Sequence, residues 1–583
     1  MLAELSLTDS SWVLTANPYV LHRAGQAIPG SRQIHDGRIA YPRTDDVAAE
    51  LMWFRRRFAF QCDDKSEGEL RTAAARSSMR ELSARKVIAG KFDRSRINFR
   101  EGRTPRDYQV MAAKLLRAVE GYVLADELGL GKTVEAAAAI ADPSMYPAVV
   151  IAPANLGYQW KEQLEYFIDD CAVHLINRMD PYDLLICWRC QACGKQVEPR
   201  NVALKHCPSC GGHKMVRCYP DVTVCSYRKA YAWRYKLAGM VKSVVFDEAQ
   251  ELRLDTSEKY RGCLHIAHAS KYRLAMSAKP IHNYGGEIYN IVNVVAPMRL
   301  GSKSDFQMQW CTYNESNGSE PALDDPQACG QYLISQHLML RRTRADVGRE
   351  LPQEQRVIHP VEVDLDRFRR ESATATPLAR TIVSGREGPG SLKTFDKLMW
   401  QATGIAKAEA VAGFVELLLE SGEPIVLFGY HRAVYEQWCR FLKRFNPLMY
   451  TGSESASKKH ENKQRFLAGE SNLLIASLKS GAGLDGLQQR VKVGAFGEFD
   501  WSPSVIDQCV GRYHRDGQKN ACLSYYLPST CGIDPHMLDT LELRRQQTDR
   551  FLGSDGPDLV ATKSKSVEAH IRELASQFLK LAS

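Results

Sequence analysis

Chemistry in this chain concentrates in a few short clusters. Cys190-x2-Cys193 and Cys207-x2-Cys210 are two thiol pairs with 13 residues between them. Each tight pair presents two thiolates, and four thiolates make a closed tetrahedral Zn2+ site, structural because no coordination position stays open. A glycine follows each pair (Gly194, Gly211) and lets backbone N–H groups approach the sulfurs. The segment is too short to fold on core burial, so metal binding would supply its stability. Cys187-x2-Cys190 is an alternative register, and Gly194 mirroring Gly211 favours Cys190/Cys193. Cys218, His206 and His213 are the remaining, less favoured ligands.

A second cluster is built for phosphate. In GYVLADELGLGKTVEAAAAI (Gly121 to Ile140) a short apolar strand, Tyr122 to Ala125, runs into a glycine-bearing loop and an Ala-rich helix from near Lys132. That order surrounds phosphates with backbone N–H groups and a helix N-terminus. Asp126, Gly129, Gly131, Lys132 and Thr133 are the nucleotide-site residues here, with Lys132 reaching the terminal phosphates and Thr133 ligating Mg2+. The strict GxxxxGK[ST] pattern fails at one position, where Asp126 replaces the first Gly. Downstream, VKSVVFDEAQ reads as a buried strand that delivers Asp247 and Glu248 at its end. Asp247 suits a water-mediated Mg2+ contact, and Glu248 suits orienting or deprotonating the attacking water. Upstream, Gln109 in TPRDYQ carries an amide able to read an adenine edge. Arg512 and Arg515, three apart in QCVGRYHRDGQ, would share one helix face and supply arginine-finger charge.

These residues need elements to hold them. The chain has 583 residues, and at roughly 150 per domain that allows three to five units. With 44% hydrophobic and 25% charged residues it has the balance of a globular chain with ample core, not a collagen-like, mucin-like or disordered one. Lys and Arg number 77 against 68 Asp and Glu, and the formal charge of +9 admits a nucleic-acid partner without requiring one. The N-terminus lacks a secretory pattern, and no stretch approaches the ~18–20 apolar residues of a membrane span. A reducing compartment is therefore expected for the 16 cysteines: cytoplasmic or nucleoid-associated in a bacterium or virus, nuclear in a eukaryote. PIVLFGY and NLLIAS are apolar strands flanked by helical segments, a second α/β pattern.

Taken in order from about Thr104 to about Phe551, these segments resemble the Swi/Snf-type translocases, the double-stranded-DNA ATPases of helicase superfamily two. DELGLGKT resembles the family's phosphate loop, VVIAPANLGYQWKEQLEYF its next motif, and VTVCSYRKA the following strand and turn. DEAQ is similar to its Mg2+/water motif, LAMSAKPIHN to its coupling motif, and LMLRRTRADVGRELP to the connection after lobe one. SLKSGAGLDGL and QCVGRYHRDGQ resemble its last two motifs, which adds Gly483, Asp485 and Gln508 to the nucleotide-binding set. The resemblance implies two RecA-like parallel-sheet α/β lobes with ATP between them, and Lys132, Asp247, Glu248, Arg512 and Arg515 as the catalytic set. TGIAKAEAVAGFVELLL, FGYHRAV and EFDWSP look most like the annealing-helicase branch. Two positions depart from the pattern. The usual TGTP reads Ser277-Ala278-Lys279-Pro280, and Gln250 stands where His is commoner.

The expected organisation is an N-terminal accessory domain over 1–100 and lobe one over 101–300 with a zinc ribbon at 186–219. A connection over 301–360, lobe two over 361–553 and a tail over 554–583 follow. Expected ligands are ATP, Mg2+ and Zn2+, with duplex or forked DNA as the sequence-independent partner. Trp188, Arg189, Lys195, Arg200, Lys205 and Lys214 give the ribbon a character suited to phosphate contact. The ribbon and an amphipathic terminal helix (Val567, Ile571, Leu574, Phe578) are the two candidate surfaces for a protein partner. The run Arg55–Arg57 beside Trp53 and Phe54 reads either as a phosphate grip or as a solvated face. The resulting expectation is an ATP-driven duplex-DNA motor that remodels or anneals DNA or displaces bound protein. The alternatives are a strand-separating DNA or RNA helicase and a non-catalytic zinc-ribbon recruitment module.

Overall fold

A computed structural model describes residues 3–34, 37–95, 97–193, 195–197, 206–281, 286–312, 322–349, 351–386, 388, 390–480, 484, 486–539, 541 and 567–582. The chain divides into two units, the first running to Arg342 and the second from Thr343, with Glu127–Leu130 counted in the second.

Within the first unit the N-terminal segment makes its own small sheet, in the order β3-β4-β2-β1-β5. Its strands are β1 (Glu4–Leu7), β2 (Ser11–Thr15), β3 (Arg32–Ile34), β4 (Arg38–Pro42) and β5 (Gln61–Cys62). Trp12, Leu14, Ile39 and Tyr41 pack from this sheet against Leu51, Phe54 and Leu70 of the helices Asp45–Arg55 and Asp64–Ile88. Phe54 is therefore core and Arg55 pairs with Glu67 at 2.5 Å, which leaves Trp53, Arg56 and Arg57 exposed.

The main sheet of this unit is built from β6 (Gly121–Leu124), β7 (Ala148–Ala152), β8 (Val173–Leu175), β12 (Val222–Ser226), β13 (Ser243–Asp247), β14 (Tyr272–Met276) and β17 (Met339–Leu340). The order is β17-β6-β14-β13-β7-β12-β8, and every pairing is parallel. Helices cover both faces, so β6 and β7 are buried at every position, as their uninterrupted apolar sequences require. Between β8 and β12 the chain forms a three-stranded antiparallel sheet, β10-β9-β11, from β9 (Cys187–Cys190), β10 (Gln196–Val197) and β11 (Met215–Cys218). A short hairpin pairs β15 (Cys311–Thr312) with β16 (Ala322–Leu323).

The second unit carries a six-stranded parallel sheet, β18-β23-β22-β19-β21-β20. It comprises β18 (Glu354–Ile358), β19 (Ile425–Gly429), β20 (Leu448–Tyr450), β21 (Leu473–Ser477), β22 (Val493–Phe496) and β23 (Cys522–Tyr526). The segment 301–360, expected as a connection, thus gives an edge strand to each sheet: β17 to the first and β18 to the second. The terminal helix Val567–Ala582 packs back on this unit, burying Ile571, Leu574 and Phe578 in the cluster that holds Phe368 and Phe395. Among the described residues no helix is long and apolar enough to cross a membrane.

Candidate nucleotide site and metal centre

Strand register brings the separated motifs of the first unit together. Leu124 at the end of β6 aligns with Met276 of β14, and Met276 aligns with Asp247 of β13. The phosphate loop, Ser277 and Glu248 therefore leave one sheet at one edge, side by side, which is where parallel α/β sheets bind ligands.

The loop needs its glycines. Gly129 and Gly131 sit at φ 91° and 84°, the left-handed region that side chains disfavour. Gly131 has a second constraint, since a Cβ there would lie 2.8 Å from Gln109 Nε2. Gln109 is thereby seated against the phosphate loop, buried, with its Oε1 accepting from the Arg106 N–H at 3.0 Å. The helix Lys132–Ile140 begins at Gly131, which makes no side-chain cap hydrogen bond, and the N–H groups of such a helix start suit an anion. Thr133 lies in its first turn. Lys132 Nζ donates to the Asp126 carbonyl at 2.8 Å. Burial lowers the pKa of Lys132, while Asp126, Glu248 and Glu135 pull it the other way.

Asp126 enters the site through its main chain. Its carboxylate is fully buried and turned away, accepting from Arg342 Nε at 2.9 Å and from the Arg342 N–H at 3.0 Å. The same guanidinium holds the buried Glu135, one turn into the helix. Burial pushes the pKa of Glu135 well up, and the nearby Asp126 adds to it. The signal that the sequence carries for Arg342 is the double arginine of LMLRRTRADV.

Asp247 Oδ2 accepts from Trp160 Nε1 at 2.7 Å, a second partner that sequence reading left unnamed. Burial, then the charge of Glu248, raises Asp247 to about 7. Glu248 holds a left-handed backbone (φ 52°), a strain that active-site residues often carry. Its Oε2 accepts from Gln250 Nε2 at 2.7 Å, and Gln250 Oε1 accepts from Ser277 Oγ at 2.8 Å. Ser277 Oγ in turn accepts from the Lys279 N–H at 3.2 Å. The two departures from the family pattern thus lie on one chain of contacts: the Gln250 amide does the bridging, and Ser277, not residue 279, supplies the hydroxyl.

In the second unit the helix Pro503–Val510 carries Gln508 and stops before the arginines. Arg512 and Arg515 therefore do not share a helix face, contrary to the sequence expectation. The chain turns at Gly511–Tyr513 because the buried Tyr513 is drawn onto the sheet, its hydroxyl 2.6 Å from Ser524 Oγ and packed on Gly494. Gly483 and Asp485 lie outside the described residues. The three segments that looked most like the annealing-helicase branch converge here. Glu498 of EFDWSP accepts from the N–H groups of Tyr430 (2.7 Å) and His431 (2.9 Å) and meets His431 Nδ1 at 2.7 Å. Gly404 of TGIAKAEA lies so close that a Cβ would stand 2.6 Å from Glu498 Oε1.

The candidate metal centre lies in the small insertion. The sulfurs of Cys190, Cys193, Cys207 and Cys210 all lie within 4.8 Å of one another, with Cys190–Cys210 and Cys193–Cys207 at 3.6 Å. Four thiolates about 2.3 Å from a zinc ion stand roughly 3.8 Å apart on a tetrahedron, so the set fits Zn2+. Backbone N–H groups do the electrostatic work: Cys193 lowers the Cys190 thiol, and Ser209 lowers Cys207 to about 6. Gly211 takes φ 69°, and the next glycine, Gly212, is the one pressed against the sulfurs. Cys187 pairs across the strands with Cys218, outside the four. Of the ribbon residues expected to suit phosphate contact, Arg189, Lys195 and Lys214 are exposed and Trp188 is buried, while Arg200 and Lys205 lie outside the described residues.

Comparison with known proteins gives the family. The family model described as SNF2-related domain matches residues 55–401, more than half of the chain, and the helicase conserved C-terminal domain matches 406–517. The chain belongs to the SNF2-related family and has the Swi/Snf-type fold of helicase superfamily two. The ATP-dependent helicase YqhH of Bacillus subtilis is 23% identical over 511 residues, covering 81% of this chain and 84% of that protein. The human DNA annealing helicase and endonuclease ZRANB3 is 23% identical over 459 residues, 74% of this chain and 38% of that protein. A Xenopus laevis SWI/SNF-related regulator of chromatin, subfamily A-like protein 1, is 21% identical over 448 residues. The chain spans less than half the length of these human and Xenopus relatives (38% and 42%). Among solved structures, the Sulfolobus solfataricus SWI2/SNF2 ATPase core in complex with dsDNA aligns over 84% of this chain and 99% of that one, at 18% identity and TM-score 0.36.

Proposed function

We propose that this chain is an ATP-driven motor that tracks along duplex DNA and remodels or anneals it or displaces bound protein. The shared sheet edge of β6, β14 and β13 carries this reading, because it joins a phosphate loop, a pair of carboxylates and a hydroxyl relay. Lys132 and the N-terminal N–H groups of its helix would hold the β- and γ-phosphates, with Gln109 reading the adenine edge from beside the loop. Mg2+, ligated by Thr133 and through water by Asp247, would offset phosphate charge. Trp160 fixes the Asp247 carboxylate, and Glu248 takes the proton of the attacking water. Asp126 and Arg342 position the loop. Arg512 and Arg515 would add charge on the γ-phosphate, and Gly483, Asp485 and Gln508 would complete the nucleotide-binding set. Ser277, Gln250 and Glu248 form the relay by which the nucleotide state reaches the DNA grip. Zn2+ on the four cysteines would hold the ribbon folded.

We also propose the working parts as accessory domain 1–100, lobe one 101–300 with the ribbon at 186–219, connection 301–360, lobe two 361–553 and tail 554–583. The annealing-helicase branch is favoured by the Glu498–His431–Gly404 cluster and by relatives named for that activity. The decisive assay measures ATP hydrolysis with single-stranded, duplex, forked and RNA stimulants. Duplex or forked DNA should stimulate most, and Lys132→Ala and Glu248→Gln should abolish turnover. Stimulation by RNA alone, or turnover indifferent to both substitutions, would overturn the assignment.

A further inference from the structure

Two cysteines outside the four-thiolate cluster, Cys187 and Cys218, stand directly opposite each other at the end of the ladder between β9 and β11. Residues facing each other across antiparallel strands have Cα atoms about 4.5–5.5 Å apart and side chains on the same face. A disulfide asks for Cα atoms about 4.4–6.8 Å apart, so joining these two needs no backbone movement. The thiols are already in contact. The Cys187 thiol is hydrogen-bonded to that of Cys218, which donates to the Val216 carbonyl at 3.9 Å.

Strand alternation separates this pair from the metal cluster. Cys187 and Arg189 share one face of β9, and Trp188 and Cys190 share the other. The four cluster sulfurs lie within 4.8 Å of one another without Cys187 or Cys218, so a bond between these two takes no ligand from the metal. Position gives such a bond a consequence. The chain enters the ribbon at Cys187 and leaves it at Cys218, and the Ile186 N–H donates to the Cys218 carbonyl at 2.8 Å beside the pair. The incoming segment is tied to the helix Tyr227–Ala238, with Lys229 Nζ donating to the Ile176 carbonyl at 2.7 Å and Trp233 Nε1 to the Arg178 carbonyl at 3.1 Å. The outgoing segment runs directly into β12 of the main sheet. Everything between the two roots, all four cluster cysteines included, is a loop that hangs from this pair. A crosslink at its neck restricts the unfolded loop, so the ribbon's order would no longer rest on metal alone. Cys218 is half-buried and Cys187 buried, so an oxidant meets Cys218 first.

We propose that Cys187 and Cys218 are a reversible redox pair, oxidised by a peroxide to a disulfide that staples the neck of the ribbon. The Cys218 sulfur attacks one peroxide oxygen and the O–O bond breaks, giving a sulfenic acid, while the departing hydroxide takes the thiol proton and leaves as water. The Cys187 sulfur then attacks the sulfenic sulfur. The S–S bond forms as the S–O bond breaks, and the second hydroxide leaves as water with the Cys187 proton. Two thiols and one hydrogen peroxide thus give one disulfide and two waters. A low-molecular-weight thiol restores both cysteines by exchange and ends as its own disulfide. Oxidation of the four cluster thiolates releases a bound metal, and the staple holds the ribbon in register until reduction allows the metal back.

The test treats the full wild-type chain with hydrogen peroxide, alkylates the remaining thiols, digests it without reductant and maps crosslinks by tandem mass spectrometry. A peptide pair linked through Cys187 and Cys218, and cleared by dithiothreitol, is the expected product. Limited proteolysis after chelation reads the staple: β9–β11 should be cut at least roughly ten-fold more slowly in the oxidised chain than in the reduced one. Cys187→Ser and Cys218→Ser should each lose that difference and still bind as much zinc as the wild type. The crosslink is scored on the wild-type chain, so it stands apart from whether the four cysteines carry zinc and from whether either variant folds. Absence of the Cys187–Cys218 link, a link from either residue to a cluster cysteine in its place, equal cutting of oxidised and reduced chain, or loss of zinc from folded Cys187→Ser and Cys218→Ser would each overturn the proposal.

Discussion

Arg342→Met puts the buried charge cluster under the phosphate loop to the test. The arginine side chain donates to Asp126 (2.9 Å from Nε), to the Tyr108 carbonyl (2.5 Å) and to Glu135, and both carboxylates are fully buried. Methionine fills the volume and removes the charge, leaving two carboxylates that water cannot reach. The cheapest escape is protonation. For an aspartate with an unfolded value near 3.9, protonation at pH 7.5 costs about 3.6 × 1.36, or roughly 5 kcal/mol. That matches the ~3–5 kcal/mol seen when one partner of a buried pair is removed. At pH 5.5 the same cost falls to about 2 kcal/mol. The sign follows from linkage: a carboxyl whose folded pKa is raised loses stability as pH climbs above its unfolded value. Urea unfolding followed by tryptophan fluorescence, fitted with separate transitions for the two units, gives both numbers. A loss under about 1 kcal/mol, or the same loss at both pH values, would refute the reasoning.

Three further outcomes are expected. Trp160→Phe keeps the ring but removes the Asp247 hydrogen bond, and should lower kcat roughly ten-fold with a raised Mg2+ requirement and little change in ATP KM, read from initial rates. Cys207→Ser should take zinc from one equivalent to none by metal analysis and leave β9–β11 susceptible to protease. Gly404→Ala forces a Cβ to 2.6 Å from Glu498 Oε1 and 2.9 Å from Val434 Cγ2, so it should cost about 1–3 kcal/mol in the second unit, measured by thermal unfolding.

Much of the candidate site is legible in the sequence because it is local. Gly129, Gly131, Lys132 and Thr133 lie in one short stretch, and their conformations follow from a strand, a tight turn and a helix start. Two Cys-x2-Cys turns likewise declare a four-thiolate cluster able to hold a metal, because each turn fixes half of the candidate ligands. Alternating strand and helix patterns give two α/β sheets for the same reason. Where only local pattern was available it also misled: the spacing of Arg512 and Arg515 implies one helix face, but Tyr513 packs on Gly494 and the helix ends first.

What the sequence by itself determined is the kind of chemistry and the family that performs it. What only the tertiary structure decided is which distant groups hold that chemistry in place. Arg342 reaches Asp126 across 216 positions, Trp160 reaches Asp247 across 87, and Ser277 reaches Gln250 across 27. No periodicity encodes such pairs, because strand order and register create them.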